Sequence, residues 1–225
     1  MIGASDTRQL GMTLPELIVA ISVTVVISTV IVNFMIDNIR TSSAQSARQS
    51  LLGSARITLD KVTNDIRHSA AADDNNRWND PHSPGAPGNQ LSWQSNANTL
   101  VLATAAKNTS GDIIFDDPSN YITAKNNYVY FVQNGILYKR IIASPVANNA
   151  AKTTCPEASS SPSCPKDTVV VRDVKSFSVA YINADNTSVT PSSARAVELT
   201  LTLEDKVFGE SVNASYKTRM VFRNG

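Results

Sequence analysis

Residues 17–36 read LIVAISVTVVISTVIVNFMI, twenty positions without one charged side chain. At about 1.5 Å per residue a helix of that length covers ~30 Å, the hydrocarbon thickness of a bilayer. The polar interruptions are Ser22, Thr24, Ser28, Thr29 and Asn33. Hydroxyls can return to helix carbonyls, so Ser and Thr cost little in lipid. No later window matches this run, so the sequence predicts a single membrane span. A secretory signal peptide would carry an apolar core of about 7–15 residues and then a small-residue cleavage site. This run is longer, and no A-x-A site follows it before Asp37.

A cleavage signal, if present, therefore belongs on the other side. Residues 1–11, MIGASDTRQLG, are short and polar and end in Gly11. A cut there would leave the apolar segment at the new N-terminus. Pro15 suits the first helical turn, where a missing N–H costs nothing. Glu16 is a carboxylate at the head of a membrane helix, and at mid-bilayer an acid costs ~2.5–3.5 kcal/mol on insertion scales. One reading puts it at the headgroup level, favoured by the positive end of the helix dipole. The other gives it a partner outside the chain.

Gly11 to Val26, GMTLPELIVAISVTVV, resembles the prepilin cleavage and methylation signature of type IV pilins and type II secretion pseudopilins. Leader length, glycine, glutamate offset and uninterrupted helix all agree with it, over about thirty residues. The resemblance implies cleavage between Gly11 and Met12 by a prepilin peptidase, then N-methylation of Met12 by the same peptidase/methyltransferase. It implies that Glu16 attracts the terminal amine of a neighbouring subunit during assembly. The implied partners are other pilin subunits and an inner-membrane assembly platform. The implied location is the inner (cytoplasmic) membrane, then a cell-surface pilus or periplasmic pseudopilus. The chain departs from the usual pattern in having Met12 where an aromatic residue is common. An alternative remains: an extracytoplasmic binding protein, an adhesin or DNA receptor, that uses the helix only as an anchor.

After Asp37 the pattern turns amphipathic. Leu52, Ala55, Leu59, Val62 and Ile66 fall at steps of three and four, a narrow seam suited to packing on a sheet. The sequence thus predicts one helix from near Leu14 to near Ala70, a membrane half over 12–36 and an amphipathic half over 37–72. Residues 73–98 are rich in Asn, Asp, Pro and Gly and read as a loop, pinned to the sheet by Trp78 and Trp93.

From residue 99 the period becomes two, defining a head over 99–225. Strands are expected at 99–104, 112–115, 128–133, 136–142, 168–174, 177–183, 197–204 and 216–223. Asn134-Gly135 between two apolar-rich runs is the strongest hairpin signal in the chain. Val197, Leu199, Leu201 and Leu203 alternate with polar residues, giving one wet face. A long helix followed by a meander of strands is an α+β chain, with the helix packed on a C-terminal antiparallel sheet. The pilin fold has that layout.

Cys155 and Cys164 lie in a Pro/Ser loop that cannot pack a core. If the head lies outside the cytoplasm they form a disulfide. Twenty Lys/Arg against nineteen Asp/Glu is too balanced for nucleic-acid binding driven by bulk charge. The sequence shows no G-x-S-x-G, P-loop or H-E-x-x-H pattern, so it names no catalytic residue, cofactor or enzyme class. His68 and His82 flank the loop without partners of the same kind. Asp112, Asp116 and Asp117 form a cluster that could hold Ca²⁺ or line a solvated turn. The expectation is a structural subunit, a minor prepilin.

Overall fold

A computed structural model describes residues 12–222. The leader with Gly11, and Arg223 at the end of the last expected strand, lie outside the described residues. One helix, α1 (Leu14–His68), is followed by ten strands: β1 (Ser69–Ala72), β2 (Thr99–Ala105), β3 (Phe115–Asp117), β4 (Ile122–Thr123), β5 (Lys125–Gln133), β6 (Ile136–Ile142), β7 (Thr168–Val171), β8 (Val174–Ile182), β9 (Ala196–Val207) and β10 (Glu210–Val221). The chain divides into two compact units between Ser46 and Ala47.

In the second unit the strands form two antiparallel sheets of five and three strands, where the sequence suggested one. The orders are β1-β2-β5-β6-β7 and β10-β9-β8, and β3 pairs with β4 in a small ribbon. Both sheets contribute to one core with the C-terminal part of α1. Leu51, Ala55, Leu59, Val62 and Ile66 cluster with Leu100, Leu102, Tyr130 and Leu137 of the first sheet and with Phe177, Val197, Leu199 and Leu201 of the second. The seam differs from the expected one at its start: Leu51 is buried and Leu52 is exposed. From Leu51 the steps are four, four, three and four, so both starting points lie within the same apolar stripe and the packing of the sheets selects Leu51. Leu59, in the middle of this face, has no solvent exposure.

The helix ends at His68 rather than running to residue 72, because residues 69–72 are taken as strand β1. Ser69 pairs with Thr104 and Ala72 with Leu102, around a register shift. The Ser69 hydroxyl donates to the Ile66 carbonyl at 2.7 Å, satisfying one of the helix's last acceptors.

The Asn134-Gly135 hairpin forms as the sequence indicates. Both residues sit at positive φ, 51° and 71°, and β5 and β6 pair from Asn127↔Ile142 to Gln133↔Ile136. Val197, Leu199, Leu201 and Leu203 are all buried, on β9. The sequence reading placed the last two strands too short. β9 and β10 pair without a register shift from Ala196↔Val221 to Val207↔Glu210. The expected strand at 112–115 appears later and shorter, as β3.

The 73–98 segment folds back on itself and is fastened to the first sheet. The Trp78 indole N–H donates to the Lys125 carbonyl at 2.7 Å. Trp93 is buried, its ring centroid 4.6 Å from that of Phe131. Arg77 makes a two-point contact with Asp73 at 2.6 and 2.7 Å, and Asn127 donates to the same carboxylate at 2.8 Å.

Candidate functional site

The first unit is α1 from its start to Ser46, and its surface is the feature that sets this chain apart. Every large apolar side chain in residues 12–39 is between 42 % and 73 % exposed. By length and composition this helix is able to cross a membrane. Three of the five polar residues in the uncharged run return their hydroxyls to the helix, as lipid favours. The hydroxyls of Ser22, Thr24 and Thr29 donate to the carbonyls of Ile18, Ala20 and Val25 at 2.8, 2.8 and 2.9 Å.

Two of the sequence-predicted site residues, Met12 and Glu16, stand at the head of this helix. The Thr13 backbone N–H and the Thr13 hydroxyl both donate to Glu16 Oε2, each at 2.9 Å. The Leu17 N–H reaches the Thr13 carbonyl at 3.1 Å, which makes Thr13 the N-cap. Thr13-Leu14-Pro15-Glu16 is therefore half of a capping box, with Glu16 returning to the cap N–H. Sequence reasoning missed Thr13, although the T-x-x-E spacing was its signal. Gly11, on the other side of the expected cut, lies outside the described residues.

Cys155 and Cys164 are joined by a disulfide, their Cα atoms 5.6 Å apart. The bridge closes a loop that also reaches the interior: the Cys155 carbonyl accepts from the Asp167 N–H at 2.8 Å. Asp167 belongs to a buried ion cluster that no local pattern announces. Arg140 on β6 contacts Asp167 at 2.6 Å and Asp80, from the 73–98 segment, at 3.0 Å, with all three side chains at most 5 % exposed. The remaining lone pairs are used. The Trp93 indole N–H and the His82 backbone N–H donate to Asp80 at 2.7 and 2.9 Å, and the Thr154 hydroxyl donates to Asp167 at 2.7 Å. Burial works against the Arg140 charge. The Asp167 hydrogen bonds and the two carboxylate charges outweigh it and hold the guanidinium above its usual range. The cluster joins β6, the long loop and the disulfide loop.

A second tie connects helix and sheet. Asp65 on α1 accepts from the Tyr130 hydroxyl and from the Lys139 ammonium. Burial pushes the Tyr130 hydroxyl well above the usual tyrosine range, and the Asp65 charge and hydrogen bond add to that. The aromatic residues of the β5–β6 hairpin pack across strands. Phe131 stacks on Tyr138 at 5.7 Å, and Lys139 lies 3.9 Å from the Tyr128 ring centroid.

The structure does not assemble the other candidates into a site. Asp112 accepts from the Asn108 side chain at 3.1 Å, and Asp117 accepts from the Asn120 side chain and the Ser119 N–H at 2.6 and 2.9 Å. Each carboxylate thus closes its own turn. His68 Nδ1 lies 2.7 Å from the Asn64 carbonyl on its own helix. Among the described residues, no group of three or more His, Cys, Asp and Glu side chains is placed to hold a metal ion. No family model matches the chain, and no curated protein does.

Proposed function

We propose that the chain is a structural subunit, a minor prepilin of a type IV pilus or related pseudopilus. In this reading a prepilin peptidase/methyltransferase cuts after Gly11 and methylates Met12. The mature protein waits in the inner membrane and then joins a filament through its apolar helix, at an assembly platform. The observation that carries the reading is the bare helix surface of residues 12–39, which needs either lipid or other helices around it. The Gly11–Glu16 spacing before that surface adds the processing signal. A filament core would bury the same side chains that lipid covered. Transfer then gains little hydrophobic energy, and assembly has to be driven from outside.

Mass spectrometry of the native N-terminus tests this. The expected chain begins at a methylated Met12, and replacing Gly11 with a bulky residue leaves the leader attached. Recovery of an intact Met1 from native filament-forming cells would overturn the reading.

One observation favours the alternative of an anchored binding protein, an adhesin or DNA receptor. Glu16 already has a partner in its own chain, at Thr13. On that alternative the carboxylate only starts the helix, and the leader stays in place.

A further inference from the structure

Where α1 gives way to β1, a groove of about 850 Å³ opens beside the five-stranded sheet, lined among others by Arg67, His68, Thr104, Lys107, Ile113 and Tyr128. Arg67 and Lys107 have no ion-pair partner among the described residues. Asp65, the carboxylate in the groove wall, is already held by Tyr130 and Lys139. Thr104 is 9 % exposed, and its hydroxyl has no hydrogen-bond partner. Ile113, just ahead of the β3–β4 ribbon, and Thr123 within it form the groove's lip, where Ile113 is 46 % exposed, and Phe115, Tyr121 and Ile122 are exposed elsewhere on the ribbon. Tyr121 sits at φ 55°, a left-handed conformation that a bulky side chain seldom adopts. Asp116 is the acid on this lip that no hydrogen bond within the lip accounts for.

A second feature has the complementary character. At the β9–β10 turn Phe208 is 64 % exposed, at φ 50° beside Gly209 at 84°. Asp205 and Glu210 flank it, with Lys206 the one cation of the turn. Turn and groove lie at opposite ends of the head. Thr104 pairs with Asn126, near the start of β5, whereas Gly135 lies past its far end. The Gly135 carbonyl accepts from the Val174 N–H, Val174 pairs with Leu203, and Phe208 lies five residues beyond Leu203. One copy therefore cannot fill its own groove with its own turn.

We propose that the Phe208 turn of one copy docks in the Arg67–Lys107 groove of a second copy. The aromatic ring meets the apolar lip, and Asp205 and Glu210 meet the unpaired cations. The contact uses different patches on the two partners, so it is head-to-tail and can repeat along a row. It rests on the reading of this chain as a filament subunit and adds to it that two copies of the chain can stand as neighbours.

The test uses the full chain in detergent, with Lys206→Cys, exposed on the turn, and Ile113→Cys introduced in separate preparations and the native Cys155–Cys164 bond intact. Mixed and oxidised, the two should form a mixed dimer several-fold faster than either forms a dimer alone. Lys107→Glu on the groove partner should slow that reaction, and Glu210→Lys on the turn partner should restore it, because rim charges act mainly on encounter. Phe208→Ala on the Lys206→Cys partner should slow the reaction as well, and Ser211→Cys, also exposed at this hairpin end, replaces Lys206→Cys if the latter does not fold. Absence of a mixed dimer, self-dimers of the turn variant forming equally fast, or indifference to the charge pair would each overturn the proposal. The contact does not depend on leader removal. The N-terminal mass of the same sample therefore separates failure of this contact from failure of the filament reading.

Discussion

The two stretches of α1 use the same kinds of residue to opposite ends. Between Leu51 and Ile66 the helix buries Leu51, Ala55, Thr58, Leu59, Val62, Thr63 and Ile66 in a core shared with both sheets. In residues 12–39 no large apolar side chain is buried. The difference lies in the period. Where apolar residues recur at threes and fours, one face is apolar and one partner surface satisfies it. Where they fill every face, no single sheet could cover them, and the cover has to surround the helix. Head stability should therefore depend on the first kind of residue and be indifferent to the second.

The largest loss of head stability is expected at the buried ion cluster. Arg140→Ala leaves Asp80 and Asp167 buried without their cation, which typically costs about 3–5 kcal/mol. Urea unfolding followed by tryptophan fluorescence measures this, since Trp93 bonds to Asp80 and Trp78 to the first sheet. Arg140→Met should lose nearly as much, because it fills the space without supplying charge. A loss under about 1 kcal/mol in both would mean that water reaches the carboxylates.

The helix comparison itself is tested by one truncation in each stretch. Leu59→Ala removes a fully buried side chain and should cost about 2–5 kcal/mol. Val26→Ala, on the bare stretch, should leave the head's unfolding midpoint where it is. Equal shifts in the two variants would show that residues 12–39 are covered by the head in solution, contrary to their exposure.

Alkaline pH gives a smaller, graded effect. Burial, helped by Asp65, raises the Tyr130 hydroxyl above its usual range, and burial raises Tyr181 in the same direction. In the unfolded chain both ionise near pH ~10. The stability these neutral hydroxyls contribute is complete below that pH and is lost as pH rises through the folded-state values. The slope is at most about 1.4 kcal/mol per pH unit for each tyrosine. Denaturation midpoints between pH 9 and 11 should fall, and Tyr130→Phe should make the fall shallower even though it starts from a less stable protein.

What could be read from the sequence was what is local. The uncharged run, the Asn134-Gly135 turn and the Val197–Leu203 alternation each carry their structural meaning within one continuous stretch of the chain. Leu51 and Leu52 are adjacent and alike, and only the sheets decide which one faces inward. The Phe208-Gly209 turn escaped because Phe at positive φ is not a turn signature, and residues 69–72 because SAAA reads as helix. The Arg140–Asp80–Asp167 cluster joins residues 60 and 27 positions apart. No pattern along the chain encodes such a meeting.

Glu16 is where head stability should respond least and where the two readings of the chain part most clearly. Glu16→Ala should leave the head's unfolding midpoint and membrane insertion unchanged, because the carboxylate lies in the stretch without buried apolar side chains. Thr13→Val deletes the hydroxyl donor to Glu16 but keeps the carboxylate and the Thr13-position N–H. If the carboxylate serves a neighbouring subunit, Glu16→Ala loses filament incorporation and Thr13→Val keeps it. If the carboxylate only starts its own helix, the two variants behave alike, and incorporation follows the cap. The outcome therefore decides whether the acid at the head of this helix acts within one chain or between two.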